Sequence, residues 1–170
     1  TLGNHDGQRV WSRYGDGQYN QELARLHLAL LLTLKGTPFL FNGEEIGMPD
    51  LELQQLSQLR DTMVVRQYHM MTEKMGISAD DALTAVLRST RDRCRSPLHW
   101  SDAPHAGFCP SDVTPWLAMH SSYTSGVSVA AQEGDPASLL SFYRNMLHLR
   151  HTTPALIAGD YQPLEPLSLI

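Results

Sequence analysis

Between a polar Gly3-Asn4-His5-Asp6 and a second polar stretch, Asn42-Gly43-Glu44-Glu45, the chain runs through a leucine-rich segment. Its apolar residues are Leu23, Ala24, Leu26, Leu28 to Leu32 and Leu34, nearly all round a helix, so the pattern predicts a helix packed on more than one side. Asn20 is placed to cap it and Gly36 to end it. Pro38 then opens Phe39-Leu40-Phe41, a short apolar run that fits a buried parallel strand. Residues 1–6 read as the end of an earlier strand, running into a loop marked irregular by Gly7, Gly15 and Gly17. Strand, helix, strand, with chemistry-bearing residues at both strand ends, predicts a parallel α/β fold. In a β/α barrel those ends form the active-site face.

The rest of the chain predicts more helix. Candidates cover residues 51–59, 62–74 and 78–89, the last with Ser78 and Asp81 imitating a capping box. Residues 96–115 are rich in Pro, Gly, Ser and Asp and read as an ordered loop. Asp135-Pro136 supplies a cap and an N1 proline for a helix carrying Leu139, Leu140, Tyr143, Met146, Leu147 and Arg150, ended by Pro154 and Gly159. Residues 160–170 would open a β-rich segment. A long insertion after a barrel strand is normally functional.

Composition narrows the function classes. Among 170 residues, 42% are apolar and 18% charged, as expected of a globular chain with a real core. The net charge of −5 and the lack of a basic run argue against a nucleic-acid partner. Arg25 and His27 interrupt the longest apolar stretch, so no membrane span is expected. No signal peptide is visible, and a cytoplasmic location is the expectation. Cys94 and Cys109 leave either a disulfide or two reduced thiols open, with free thiols favoured. The eight histidines follow no metal-ligand spacing, so neither a metal nor a cofactor is expected.

Four blocks carry the chemistry. Asn4-His5-Asp6 with Arg9 and Ser12-Arg13 resembles the Asn-His-Asp-x-x-Arg-x-x-Ser-Arg stretch of the α-amylase superfamily, glycoside hydrolase family 13. Gly36-x-Pro38-x-x-Phe41-x-Gly43-x-Glu45-x-Gly47 is similar to that family's motif at the eighth barrel strand, with Phe41 where Tyr is frequent. Arg91-Asp92-Arg93-Cys94-Arg95-Ser96-Pro97-Leu98-His99-Trp100 resembles the Arg-Asp-x-x-Arg-Thr-Pro-Met-Gln-Trp signature of the α-glucosidase and oligo-1,6-glucosidase branch. Ala106-Gly107-Phe108 and Thr114-Pro115-Trp116 continue it.

The resemblance implies the C-terminal part of a (β/α)8 TIM barrel over residues 1–157: the last two βα units, with a long insertion after the final strand. Residues 158–170 would start a C-terminal β domain. It implies a retaining α-glucosidase acting on short oligosaccharides. Asp6 would steady the oxocarbenium-like transition state, and His5 would hydrogen-bond the sugar in the same subsite. Arg95, Arg91 and Arg9 are the further substrate-binding candidates. Arg95 or Arg91 would reach the non-reducing glucose, or form an ion pair with Asp92 or Asp102. Arg9 and Arg13 would line the aglycone side or only hold the loop, whose shape is open because Gln8 stands where Pro is frequent. Glu44 and Glu45 are adjacent and point apart, so they make a poor acid/base couple. Glu45 would shape the rim or bond backbone. Leu98 and His99 read as packing under Trp100, while Trp100 and Trp116 would stack on a sugar face or belong to the core, with core favoured.

The nucleophile and acid/base of the family lie on earlier strands, so the segment alone is expected to be inactive. A trehalose synthase or sucrose isomerase relative shares the same motifs. A non-catalytic amylase-like transporter heavy chain is a third reading, opposed by the intact Asp6.

Overall fold

In the computed structural model, residues 2–162 are described. Helices dominate them. After a short α1 (Val10–Tyr14), the leucine-rich segment forms α2 (Asn20–Thr33), as its Leu and Ala content favours. Asn20 does not cap it with its side chain. Tyr19 is the cap residue, and Asn20 Oδ1 accepts from Gly17 N at 2.8 Å instead.

α2 buries one stripe, Ala24, Leu28 and Leu32, four residues apart. The stripe packs on Leu139 and Tyr143 of α6 (Leu139–Thr152). Leu26 and Leu30 stay 63% and 48% exposed. α2 therefore packs on α6 and on α1, whose Trp11 joins the same cluster and whose Tyr14 ring lies 4.5 Å from that of His27, while Leu26 and Leu30 face outward. Arg150 of α6 donates to the carbonyls of Leu32, Leu34 and Gly36 at 2.5, 3.2 and 2.6 Å. A cation thus satisfies the open carbonyls at the C-terminus of α2.

The two expected strands are also corrected. Among the described residues none is assigned to a strand, and Phe39 is 64% exposed. A parallel strand is held by ladders to neighbours on both sides, and among the described residues these two short extended runs find no such ladder. Residues 38–41 keep an extended course into a 3-10 turn, Glu44–Ile46. The proposed β-rich end lies largely in residues 163–170, outside the described residues.

The insertion contains a helical hairpin, α3 (Thr62–Glu73) and α4 (Ala79–Ser89), with its own cluster of Leu59, Val64 and Val86. Asp61 caps α3 by accepting from Met63 N, and Ser78 caps α4 by accepting from Asp81 N, both at 3.1 Å. Of the helix expected over 51–59, only the 3-10 turn Leu56–Gln58 forms. Two short helices escaped the sequence reading, α1 and α5 (Val129–Gln132). α6 starts later than expected. Asp135 makes a turn, accepting from Ala137 N at 2.8 Å, and Ser138 is the cap, accepting from Ser141 N at 3.1 Å. After Thr152 the chain re-forms one turn of helix, α7 (Pro154–Ala158), rather than stopping.

Leu32 is fully buried, so Leu32→Ala is expected to cost about 2–5 kcal/mol in urea unfolding. Leu26→Ala, on the exposed face, is expected to stay within about 0.5 kcal/mol.

Candidate functional site

Asn4 begins the site. Its Oδ1 accepts from Asp6 N at 2.8 Å, a side-chain turn that bends the loop. The bend sets the Asp6 carboxylate beside two arginines. Asp6 Oδ1 lies 2.7 Å from Arg95 Nη2 and 3.5 Å from Arg91 Nη1, and Oδ2 lies 3.3 Å from His5 Nε2. Arg95 also donates from Nε to the His5 carbonyl at 2.7 Å. One planar guanidinium therefore holds both the backbone and the carboxylate of the His-Asp pair. The Asp6 side chain remains 54% exposed, open to a ligand.

The arginines are presented by a 3-10 turn, Arg91–Cys94, capped by Thr90, whose hydroxyl accepts from Asp92 N at 3.2 Å. Each charged residue of the turn has a distinct partner. Arg91 grips Asp61 with two bonds of 2.6 and 2.9 Å. Buried Asp92 accepts the backbone N–H groups of Arg60 and Asp61 at 2.6 and 2.8 Å. Arg93 bonds Asp50 at 3.1 Å, and Asp50 accepts from Arg9 N at 2.8 Å. The Arg91 hydrogen bond holds the Asp61 carboxyl below its ordinary value, and Asp61 in turn raises Arg91. The partners of the arginines are thus Asp61 and Asp6, and neither Asp92 nor Asp102, the acids of the ion-pair alternative, takes that place.

Arg9 needs a correction as a substrate contact. It is 1% exposed, and its guanidinium donates to Asn42 O at 2.6 Å and Ser96 O at 3.4 Å. It lies 5.0 Å over the Phe41 ring. Buried and committed to backbone, it ties the first motif to the second. Gly43 makes room for it: φ is +91°, and a Cβ there would sit 2.7 Å from Arg9 Nη1 and 2.6 Å from Met48 Sδ. Desolvation lowers Arg9 from its ordinary value and raises Glu44. The carboxylates of Glu44 and Glu45 turn inward, accepting from Phe41 N at 3.3 Å and Gly43 N at 2.7 Å. Arg13 stacks on Tyr14 at 5.1 Å.

His99 is fully buried, with Nδ1 3.0 Å from Val127 O, and burial pushes its imidazole down. The tryptophans differ from expectation. Trp100 and Trp116 are 50% and 54% exposed, because their stretch crosses the surface rather than the core. Trp116 donates Nε1–H to Arg95 O at 3.3 Å, which places it next to the Asp6 cluster. The structure thus gathers His5, Asp6, Arg91 and Arg95 and leaves Arg9 inside. Asp61 and Asp50 were missed by the sequence reading. Asp61 carried a signal, an acid directly before a helix start. Both cysteines are free thiols. Among the described residues, no group of three or more His, Cys, Asp or Glu could hold a metal ion, and no helix is long and apolar enough to cross a membrane.

Comparison with known proteins gives a consistent picture. Residues 1–159 match the family model for the alpha amylase catalytic domain. The chain is 38% identical over 165 residues to the oligo-1,6-glucosidase of Heyndrickxia coagulans, covering 96% of this chain and 29% of that protein. It is 34% identical over 164 residues to probable oligo-1,6-glucosidase 2 of Bacillus subtilis (strain 168), again covering 96% and 29%. Among solved structures it resembles trehalulose synthase MutB from Pseudomonas mesoacidophila MX-45, with a TM-score of 0.84 and 37% identity, over 97% of this chain and 30% of that one. The chain therefore spans about 29% of the length of the curated relatives it matches.

Two pH effects are expected. Asp61's carboxyl lies below its ordinary 3.8, so its contribution is full above that pH and is lost as pH falls through the lowered folded value. Asp61→Asn should lower the urea midpoint at pH 7, with the gap to wild type closing below pH 3.8. His99 lies below its ordinary 6.5, so stability is full above that pH and declines as pH falls toward the folded value. In pH-dependent unfolding, His99→Gln should flatten this slope just below pH 6.5.

Proposed function

The chain belongs to the alpha amylase catalytic-domain family, and on that premise we propose that it forms part of the active site of a retaining α-glucosidase acting on short oligosaccharides. The carrying observation is the half-exposed Asp6 carboxylate, clamped by Arg95 and flanked by His5. As a glucosidic bond breaks, positive charge grows at the anomeric carbon. A carboxylate already fixed in place stabilises that charge more than the neutral ground state, which lowers the barrier. His5 is 69% exposed at its side chain and within reach of a sugar hydroxyl bound at Asp6. Arg91 has all three guanidinium nitrogens on Asp61 and Asp6, so Arg95, which holds His5 O and Asp6 through Nε and Nη2, is the better placed of the two to reach a sugar with Nη1.

Retaining hydrolysis uses a nucleophile and an acid/base about 5 Å apart. Glu44 and Glu45 are both committed to backbone N–H groups, which favours a supporting role for them. Asp6 then acts as stabiliser of the transition state, with the nucleophile and acid/base supplied from elsewhere in the enzyme. In the same reading, residues 1–157 are the last two βα units of the barrel and residues 158–170 begin a β domain. A sucrose-isomerising reading has one observation in its favour: identity to trehalulose synthase, 37%, falls between the 34% and 38% found for two oligo-1,6-glucosidases. Sucrose as substrate separates the two, since hydrolysis releases glucose and fructose while isomerisation yields a rearranged disaccharide.

In the enzyme carrying this chain, Asp6→Asn is expected to lower kcat/KM for an aryl α-glucoside by at least about 100-fold, with an unchanged circular dichroism spectrum. Turnover within threefold of wild type would remove the proposal. The 170-residue chain by itself is expected to show no turnover above that of its own Asp6→Asn variant.

A further inference from the structure

Besides Asp61 and Asp6, Arg91 meets a sulfur. Its Nη2 donates to Met63 Sδ at 3.6 Å, while the same nitrogen bonds Asp61 at 2.9 Å. Met63 stands in the first turn of α3, and its backbone N–H donates to Asp61 Oδ1 at 3.1 Å. One residue therefore touches both members of the Arg91–Asp61 pair. A thioether is a weak acceptor, so the sulfur contact contributes little as it stands. It is also open to reagents. Met63 is 67% exposed, and with Asp6 and Arg91 it lines an open cleft of about 630 Å³. A small oxidant can follow the route that a saccharide takes to Asp6. Met48, by contrast, is fully buried.

We propose that Met63 is an oxidation site through which hydrogen peroxide acts on the Asp6 cluster. The sulfur lone pair attacks one oxygen of the peroxide; the O–O bond breaks and an S–O bond forms. The departing hydroxide takes the proton left on the new oxygen and leaves as water. Sulfur gives up two electrons, the peroxide gains them, and the product is methionine sulfoxide. Its oxygen lies one bond beyond the sulfur and is a polar acceptor, so the weak contact to Nη2 becomes a charge-assisted hydrogen bond. Arg91 must then redistribute its holds. Its bonds to Asp61 are 2.6 and 2.9 Å, and its link to Asp6 is 3.5 Å. The longest yields first, which leaves the Asp6 carboxylate to Arg95 and His5. The effect on turnover rests on the glucosidase reading; the chemistry at sulfur does not.

The test treats the full enzyme with hydrogen peroxide and compares each variant with its own untreated form. In wild type, peptide mass mapping is expected to find one added oxygen on Met63, with kcat/KM for an aryl α-glucoside lowered about fivefold, the scale of one lost hydrogen bond. Methionine sulfoxide reductases, one for each epimer, should restore it. Met63→Leu has no sulfur there and should keep its untreated value. Met75→Leu removes a sulfur that is 60% exposed just past the end of α3, and should still lose about fivefold. An equal loss in Met63→Leu and wild type overturns the proposal, as does an oxidised Met63 with unchanged kcat/KM in an active enzyme. Nitrogen NMR of arginine-labelled enzyme gives a readout without turnover. The Arg91 guanidinium signal should shift on oxidation in wild type and stay in place in Met63→Leu. If it shifts while the untreated enzyme hydrolyses no glucoside, the oxidation site stands and the glucosidase reading falls. If it stays in place in oxidised wild type, the proposal falls whatever the activity.

Discussion

The site depends on one guanidinium. Arg95 reaches the His5 carbonyl and the Asp6 carboxylate at once, and no other side chain among the described residues joins the backbone of that loop to its acid. An aspartate on a glycine-flanked loop has many orientations open to it. A planar cation with two donors at fixed spacing removes most of them before substrate arrives. On the proposed reading, such preorganisation is what would let Asp6 stabilise developing charge, because its reorientation is complete beforehand.

The clamp is itself supported from below. Arg91 is held by Asp61, Asp61 caps α3, and buried Asp92 gathers the backbone just ahead of that helix. The helical hairpin of the insertion thus positions the turn that carries both arginines. On the opposite side, Arg9 fastens the first motif to the carbonyls of Asn42 and Ser96, in a pocket that only a glycine at position 43 leaves open. Three segments far apart in sequence meet through arginines, and no two of these arginines play the same part. Arg9 binds backbone inside, Arg91 grips a helix cap, and Arg95 holds the acid.

Local signals were legible. Leucines at helical spacing located α2, and Ser78 before a run of helix formers located the start of α4. Where two local signals competed, the stronger motif misled: Asp135-Pro136 looks a better start than Ser138, yet Asp135 spends its carboxylate on a turn. Non-local matters were less legible. The strand expectations at residues 1–6 and 39–41 depended on ladders to partners that spacing cannot supply. The motifs name His5, Asp6, Arg91 and Arg95, and the structure brings these four side by side. The acids that serve the arginines lie 30 residues away for Asp61 and 43 for Asp50, and no periodicity connects them. The burial of Arg9 runs against the general habit of arginine, so a surface role was the natural reading of the sequence. The exposure of Trp116 is the reverse case, a large aromatic held at the surface by one bond to Arg95.

The central claim is that Arg95 acts through Asp6, and a double-mutant cycle measures it directly. Arg95→Met, Asp6→Asn and the double variant are compared by kcat/KM on an activated aryl α-glucoside in the full enzyme. If the guanidinium works by holding the carboxylate, Arg95→Met costs at least about tenfold in wild type and almost nothing once Asp6 is Asn. If the two losses simply multiply, Arg95 and Asp6 act independently and the account is contradicted.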